Sequence, residues 1–166
     1  ASERNLYQSV IGTNKDYGGT TTVESITITG WADIDFDGTI GAIVSAAGRS
    51  NTVNTIHIGG SSNVNVRGKF STAPGIGGDD GSVIGDIIID GGTVVAKGAN
   101  AAPGIGVSTI AGNFYRPSGS LGTITIAGGT ITATGGGDEE YGRGGPGIGT
   151  TATPFTSITI SGGKVT

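Results

Sequence analysis

Isoleucine and valine alternate with polar residues in short runs along this chain, and the runs recur. One reads Ser25-Ile26-Thr27-Ile28, Thr55-Ile56-His57-Ile58, Asp86-Ile87-Ile88-Ile89, Thr123-Ile124-Thr125-Ile126 and Ser157-Ile158-Thr159-Ile160. A second run follows each: Asp33-Ile34-Asp35-Phe36-Asp37, Asn63-Val64-Asn65-Val66-Arg67, Thr93-Val94-Val95-Ala96-Lys97, Thr130-Ile131-Thr132-Ala133-Thr134 and Lys164-Val165-Thr166. A period of two puts alternate side chains on one face of an extended chain, so each run predicts a half-buried strand. The second run begins at residues 33, 63, 93, 130 and 164, spacings of 30, 30, 37 and 34. A third element is Pro74-Gly75-Ile76-Gly77, Pro103-Gly104-Ile105-Gly106 and Pro146-Gly147-Ile148-Gly149, with looser versions at Val10-Ile11-Gly12 and Thr39-Ile40-Gly41.

A fixed period of this size outweighs local propensity in deciding the fold. Three short strands per coil of about 30–37 residues, joined by glycine-rich corners, predict an all-β parallel β-helix, or β-solenoid. Equivalent residues then stack ~4.8 Å apart. The expected columns are Ile26/Ile56/Ile87/Ile124/Ile158, Ile34/Val64/Val94/Ile131/Val165 and Phe36/Val66/Ala96/Ala133. The last shrinks along the chain, which implies a core that narrows or is filled from elsewhere. The whole of 1–166 reads as one domain, with a partial coil over 1–24 and repeats starting near 25, 55, 86, 123 and 157. Ankyrin and tetratricopeptide repeats have similar periods but need helices, and a propeller blade takes ~40–45 residues.

Composition sharpens this picture. Of 166 residues, 35 are glycine, only Leu6 and Leu121 are leucine, and charged residues make up 13%, which excludes a helical bundle. The glycines do not fall at every third position, which excludes collagen. A net charge of −4 with scattered basic residues argues against nucleic acid as a partner. No apolar run approaches the ~20 residues of a membrane helix. There is no cysteine, hence neither disulfide nor thiol chemistry.

The pattern Ile-Thr-Ile-x-Gly-Gly-Thr-[Ile/Val]-x-Ala-x-Gly followed by Pro-Gly-Ile-Gly resembles repeats of large bacterial cell-surface and secreted proteins that form right-handed parallel β-helices. The resemblance covers about residues 10–166 and is strongest over 86–166. It implies the fold and an extracellular or cell-surface setting, and it carries no catalytic residue onto this chain.

The two ends are complementary in phase. Lys164-Val165-Thr166 followed by Ala1-Ser2 reads like Thr130-Ile131-Thr132-Ala133-Thr134, and Val10-Ile11-Gly12 then falls where Pro-Gly-Ile-Gly belongs. Two expectations follow: a segment of a longer solenoid, or a protomer that stacks head-to-tail on its own copies. The assembling ends would be Ala1, Val10 and Ile11 on one side and Ile158, Ile160 and Val165 on the other. The leading functional expectation is therefore a structural unit of a fibre or stalk rather than an enzyme.

Candidate chemistry lies on the outward positions. Asp33, Asp35 and Asp37, followed by Gly38, match the opening of a calcium loop, but the twelfth position is Val44 instead of a bidentate Glu. The repeat offers another account, in which these are outward strand residues over Asn63, Asn65 and Arg67. No cofactor is expected otherwise. Gly142-Arg143-Gly144-Gly145-Pro146-Gly147 matches a dinucleotide fingerprint in spelling only, since no helix follows. His57 is the one histidine and reads as an exposed strand residue. Two insertions, over 109–120 and 138–143, concentrate Phe114, Tyr115, Arg116, Asp138, Glu139, Glu140, Tyr141 and Arg143. Aromatic rings beside carboxylates and amides are the chemistry of sugar recognition. The alternative function is accordingly a polysaccharide-binding or adhesin module using Asp33, Asp35, Asn63 and Asn65, or Tyr115, Arg116, Tyr141 and Arg143. A carbohydrate-active enzyme comes third, because one acidic loop cannot place carboxylates on both sides of a glycosidic bond. A threonine face for ice is interrupted by His57 and Ile88.

Overall fold

The computed structural model describes residues 11–13, 20–38, 43–45, 51–69, 72–79, 81–108, 119–138, 143–151 and 154–166. Among these the chain is all β, and no helix is long and apolar enough to cross a membrane. The strands are β1 (Ile11–Thr13), β2 (Thr22–Ile28), β3 (Asp33–Gly38), β4 (Ile43–Ser45), β5 (Thr52–Ile58), β6 (Asn63–Gly68), β7 (Ile76–Gly78) and β8 (Val83–Lys97). There follow β9 (Ile105–Val107), β10 (Ser120–Thr134), β11 (Gly137–Asp138), β12 (Arg143–Gly144), β13 (Ile148–Thr150), β14 (Phe155–Ile160) and β15 (Lys164–Val165).

Pairing is parallel throughout except in the β11–β12 hairpin. The three-residue strands form a five-stranded sheet in the order β1-β4-β7-β9-β13. The longer ones form a second sheet along β14-β10-β8-β5-β2, to which β3, β6 and β15 also belong. Each strand pairs with its counterpart one repeat away, so the expected columns are in register: Ile26 pairs with Ile56, Ile56 with Ile87, Ile87 with Ile124 and Ile124 with Ile158. Ile34, Val64, Val94, Ile131 and Val165 line up in the same way.

Alternation fixes which residues form the core. In β6 the burial runs exposed, buried, exposed, buried, exposed, buried. Among the described residues the largest fully buried side chains are all isoleucine. Such β-branched residues lose little on entering a strand, and each contributes about 1.5–3 kcal/mol on burial.

Two expectations change. The first and second runs of each repeat were expected as separate strands, yet β8 and β10 run for 15 residues each through the Gly91-Gly92 and Gly128-Gly129 corners. The glycines bend the ladder without breaking it, with register shifts between Ile126, Gly128 and Thr130. The looser third element is also displaced. Thr39, Ile40 and Gly41 lie outside the described residues, and it is Ile43 that pairs with both Ile11 and Ile76. Two loop lengths between repeats shift the phase there, and Val44 stands where later coils carry glycine.

The Pro-Gly-Ile-Gly motif has a structural reason. Its last glycines, Gly77, Gly106 and Gly149, stack at φ +132°, +141° and +134°, a region L side chains rarely adopt. A Cβ on Gly77 or Gly106 would also overlap the carbonyl oxygen of the glycine one coil on. The motif's first glycine explains the shrinking column. A Cβ on Gly75 would lie 3.2 Å from the Ala96 Cβ, and one on Gly104 2.7 Å from the Ala96 carbonyl oxygen. Backbone therefore occupies the volume that a side chain the size of Val66 would need at Ala96, while Phe36, expected at the inward head of this column, is 42% exposed.

Candidate binding surface

Outward positions on β3 and β6 carry polar side chains whose spacing is set by the parallel register. Asp33 pairs with Asn63 and Asp35 with Asn65. The Asn63 Nδ2 donates to Asp33 Oδ1 at 2.8 Å, and the Asn65 Nδ2 to Asp35 Oδ1 at 2.9 Å. All four residues are exposed. The same device recurs on the neighbouring face, where Asn54 Nδ2 donates to Glu24 Oε2 at 2.7 Å. Asn over carboxylate replaces the like-charge repulsion that Asp over Asp would produce with a hydrogen bond. The rows continue as Thr93 and Thr130 under Asn63, and as Val95 and Thr132 under Asn65.

Trp31 sits at the corner leading into β3 and is 89% exposed. Gly30 turns that corner at φ +73°, and its carbonyl accepts from the Ser61 N–H at 2.8 Å. Ala32 does the same for the Asn63 N–H at 2.8 Å. The corner is thus tied to the coil beneath it on both sides of the indole.

No family model, curated protein or solved structure matches this chain.

Of the other expected site residues, Tyr115, Arg116 and Tyr141 lie outside the described residues, as do Phe114, Glu139 and Glu140. Arg143 is exposed on β12, where its backbone pairs with that of Asp138. Asp37 is in register with Arg67, while its side chain lies outside the description. Among the described residues no group of three or more His, Cys, Asp or Glu side chains is gathered for a metal ion. Asp33 and Asp35 lie along a strand, where successive ligands spread in a row, whereas a calcium loop wraps them round one point. Of the expected assembly residues, Ala1 and Val10 are outside the description, Ile11 and Val165 are half-buried, and Ile158 and Ile160 are 36% and 54% exposed.

Three features were not foreseen. Trp31 is one. His57, expected to be a lone exposed imidazole, is half-buried, and its Nε2 lies 2.9 Å from Asp90 Oδ2. The signal was available: Ile58 pairs with Ile89, so Asp90 occupies the Gly59 position, diagonal to His57. The third is Asp79, only 3% exposed, which accepts from Thr72 Oγ1 at 2.8 Å and lies 3.3 Å from Ser108 Oγ. The Ser108 hydroxyl also reaches the Thr72 carbonyl. These bonds tie the chain before β7 and after β9 to Asp79 and satisfy a carboxylate taken out of water, while the Ser82 N–H closes the turn after β7 on the Asp79 carbonyl at 2.9 Å.

Proposed function

We propose that the chain is a parallel β-solenoid serving as a structural unit of an extracellular or bacterial-surface fibre or stalk. Its coils would continue head-to-tail, along a longer chain or onto another copy of this one. The observation that carries the reading is the change in exposure along single columns. Ile126, in the interior, is fully buried, while its column mate Ile160 is 54% exposed on β14. Phe155 is 46% exposed on the same edge.

A further coil in the same register would cover these side chains and complete the backbone ladder of β14. The apolar gain is on the order of 3 kcal/mol, too little alone against the 4–15 kcal/mol of lost translation and rotation. The ladder hydrogen bonds must therefore supply much of the contact, as they do when an edge strand is extended. The column Asp33/Asn63/Thr93/Thr130/Lys164 favours one orientation, because it begins acidic and ends basic. A copy stacked in phase would bring its Asp33 beneath Lys164. The resemblance of the repeat to bacterial surface proteins supports the setting.

Light scattering and electron microscopy of the purified chain test the reading. Particles that lengthen in one direction with concentration are expected, and Ile160→Lys should shorten them without lowering the melting temperature. Single units at every concentration, identical for both proteins, would overturn it.

A further inference from the structure

We propose that the Trp31 corner, with the Asp33–Asn63 and Asp35–Asn65 rungs beside it, is a binding platform for a neutral, hydroxyl-rich polysaccharide. A tryptophan that is 89% exposed leaves both ring faces open to solvent, on the largest apolar side chain of the protein. Its place is fixed by the hydrogen bonds from Ser61 and Asn63 to the backbone on either side. Among the described residues the one stacked nearest it in the next repeat is the small Ser61, which leaves the ring uncovered on that side. Only Ala32 separates it from Asp33, so the two backbones lie no more than about 7 Å apart.

The rungs supply the polar half of the site. Each Asn amide is held by its Asp partner at 2.8 or 2.9 Å, so its remaining N–H and carbonyl are oriented before any ligand arrives. Each carboxylate has a second oxygen. Donors and acceptors alternate over a flat face at roughly 4.8 Å across strands and 6.6 Å along them. Pyranose hydroxyls both donate and accept, and the C–H faces of the ring are apolar, which matches polar rungs beside an indole. Holding the side chains in advance reduces the ordering cost of binding. Below the rungs, Thr93 and Thr130 extend the hydroxyl-bearing column, and Val95, 39% exposed, offers a further apolar step. The face is long enough for a polymer rather than a single sugar.

Charge selects the class of glycan. Asp33 and Asp35 stand on the platform itself and Glu24 on the adjoining face, whereas the exposed bases Arg67 and Lys97 lie one outward row further on, beyond Asn65 and Val95, and the chain carries a net −4. Uronate or sulfated glycans would be repelled, and neutral ones would not.

Trp31 is the only tryptophan, so intrinsic fluorescence reports on this corner alone. The test uses the full chain and its Ile160→Lys variant, so that self-assembly does not confound the result. Electrophoresis through gels containing hydroxyethyl cellulose, galactomannan or polygalacturonate gives the binding. Expected are retardation by at least one neutral polymer, a blue shift of the tryptophan emission with that polymer, and no retardation by polygalacturonate. Trp31→Ala should weaken retardation at least tenfold, and Asn63→Ala with Asn65→Ala several-fold, with melting temperatures unchanged. Absence of retardation by both neutral polymers, equal retardation of Trp31→Ala, or stronger retardation by polygalacturonate would overturn the proposal. So would a blue shift that follows protein concentration without glycan, which would assign the indole to a contact between copies.

Discussion

Replacing Gly106 by alanine isolates the requirement that the Pro-Gly-Ile-Gly motif imposes. Two penalties act there. The residue sits at φ +141°, where an L side chain costs about 1–3 kcal/mol. Its new Cβ would also overlap the Gly149 carbonyl oxygen of the next coil. Backbone cannot rotate away as a side chain can, so the coils must separate locally, at an overpacking cost of about 1–3 kcal/mol. The sum, roughly 2–6 kcal/mol, is a large share of the ~5–15 kcal/mol that holds a domain together. Two other glycines divide the effect. Gly149 has φ +134°, but the nearest neighbours of its would-be Cβ are Pro146 and Ile158 side-chain carbons at an ordinary 3.7–3.9 Å. Gly137 meets nothing within 4 Å. Thermal unfolding followed by circular dichroism should rank the three: Gly106→Ala lowest by about 10 °C or more, Gly149→Ala intermediate, and Gly137→Ala near wild type. A Gly106→Ala protein melting within about 2 °C of wild type would refute the stacking account of the motif.

Ile124→Ala should destabilise by about 2–5 kcal/mol, because the residue is fully buried, while Ile160→Ala at the edge of the neighbouring column should cost about 1 kcal/mol or less; denaturant melts of the two give the comparison. Asn65→Ala removes an exposed amide–carboxylate bond, and its melting temperature should stay within about 2 °C of wild type. A larger loss would make the rungs part of what holds the coils together rather than a surface feature.

What could be read from the sequence was the inward half of the molecule. Inward residues are constrained twice, by alternation along a strand and by stacking between coils, so Ile26, Ile56, Ile87, Ile124 and Ile158 repeat visibly. Outward residues were legible only through the register, which sets Asp33, Asp35 and Asp37 over Asn63, Asn65 and Arg67 as the repeat implied, and most carry no repeating residue type. Trp31 has no aromatic counterpart in other coils, and a singular residue gives no periodic signal. His57 and Asp90 meet because Asp90 follows Ile89, the partner of Ile58, and no other repeat carries an acid at that position, so the pair gives no periodic signal. The displacement of the third element to Ile43 has the same origin: loop lengths vary, and a column can be extrapolated only across coils of equal length. The continuity of β8 and β10 escaped notice because paired glycines signal a turn equally well whether the ladder ends there or bends.

The repetition that made the core legible also bears on what the edges require. Every interior interface between coils joins the same aliphatic columns, so the surface that β10 offers to β14 is of the same kind as the surface β14 offers outward. On the solenoid reading proposed above, the gain from adding a repeat is nearly the same at each step. An interface that buries Ile87 and Ile124 completely at one step therefore leaves a comparable gain unrealised at Ile158, which is 36% exposed. Proteins that end such a ladder usually do so with charged or bulky residues that spoil the next pairing. On the described edge the outward row is Ser157, Thr159 and Ser161, with one charge at Lys164, and the inward row stays aliphatic through Ile158, Ile160 and Val165. Nothing in that row opposes another coil, and the single lysine matches the acidic start of the first one. The same physics makes an isolated copy prone to pair through this edge in whatever orientation is available. Association that survives Lys164→Asp unchanged, measured by light scattering at low salt, would mean that the edge is merely adhesive and that the head-to-tail phase plays no part.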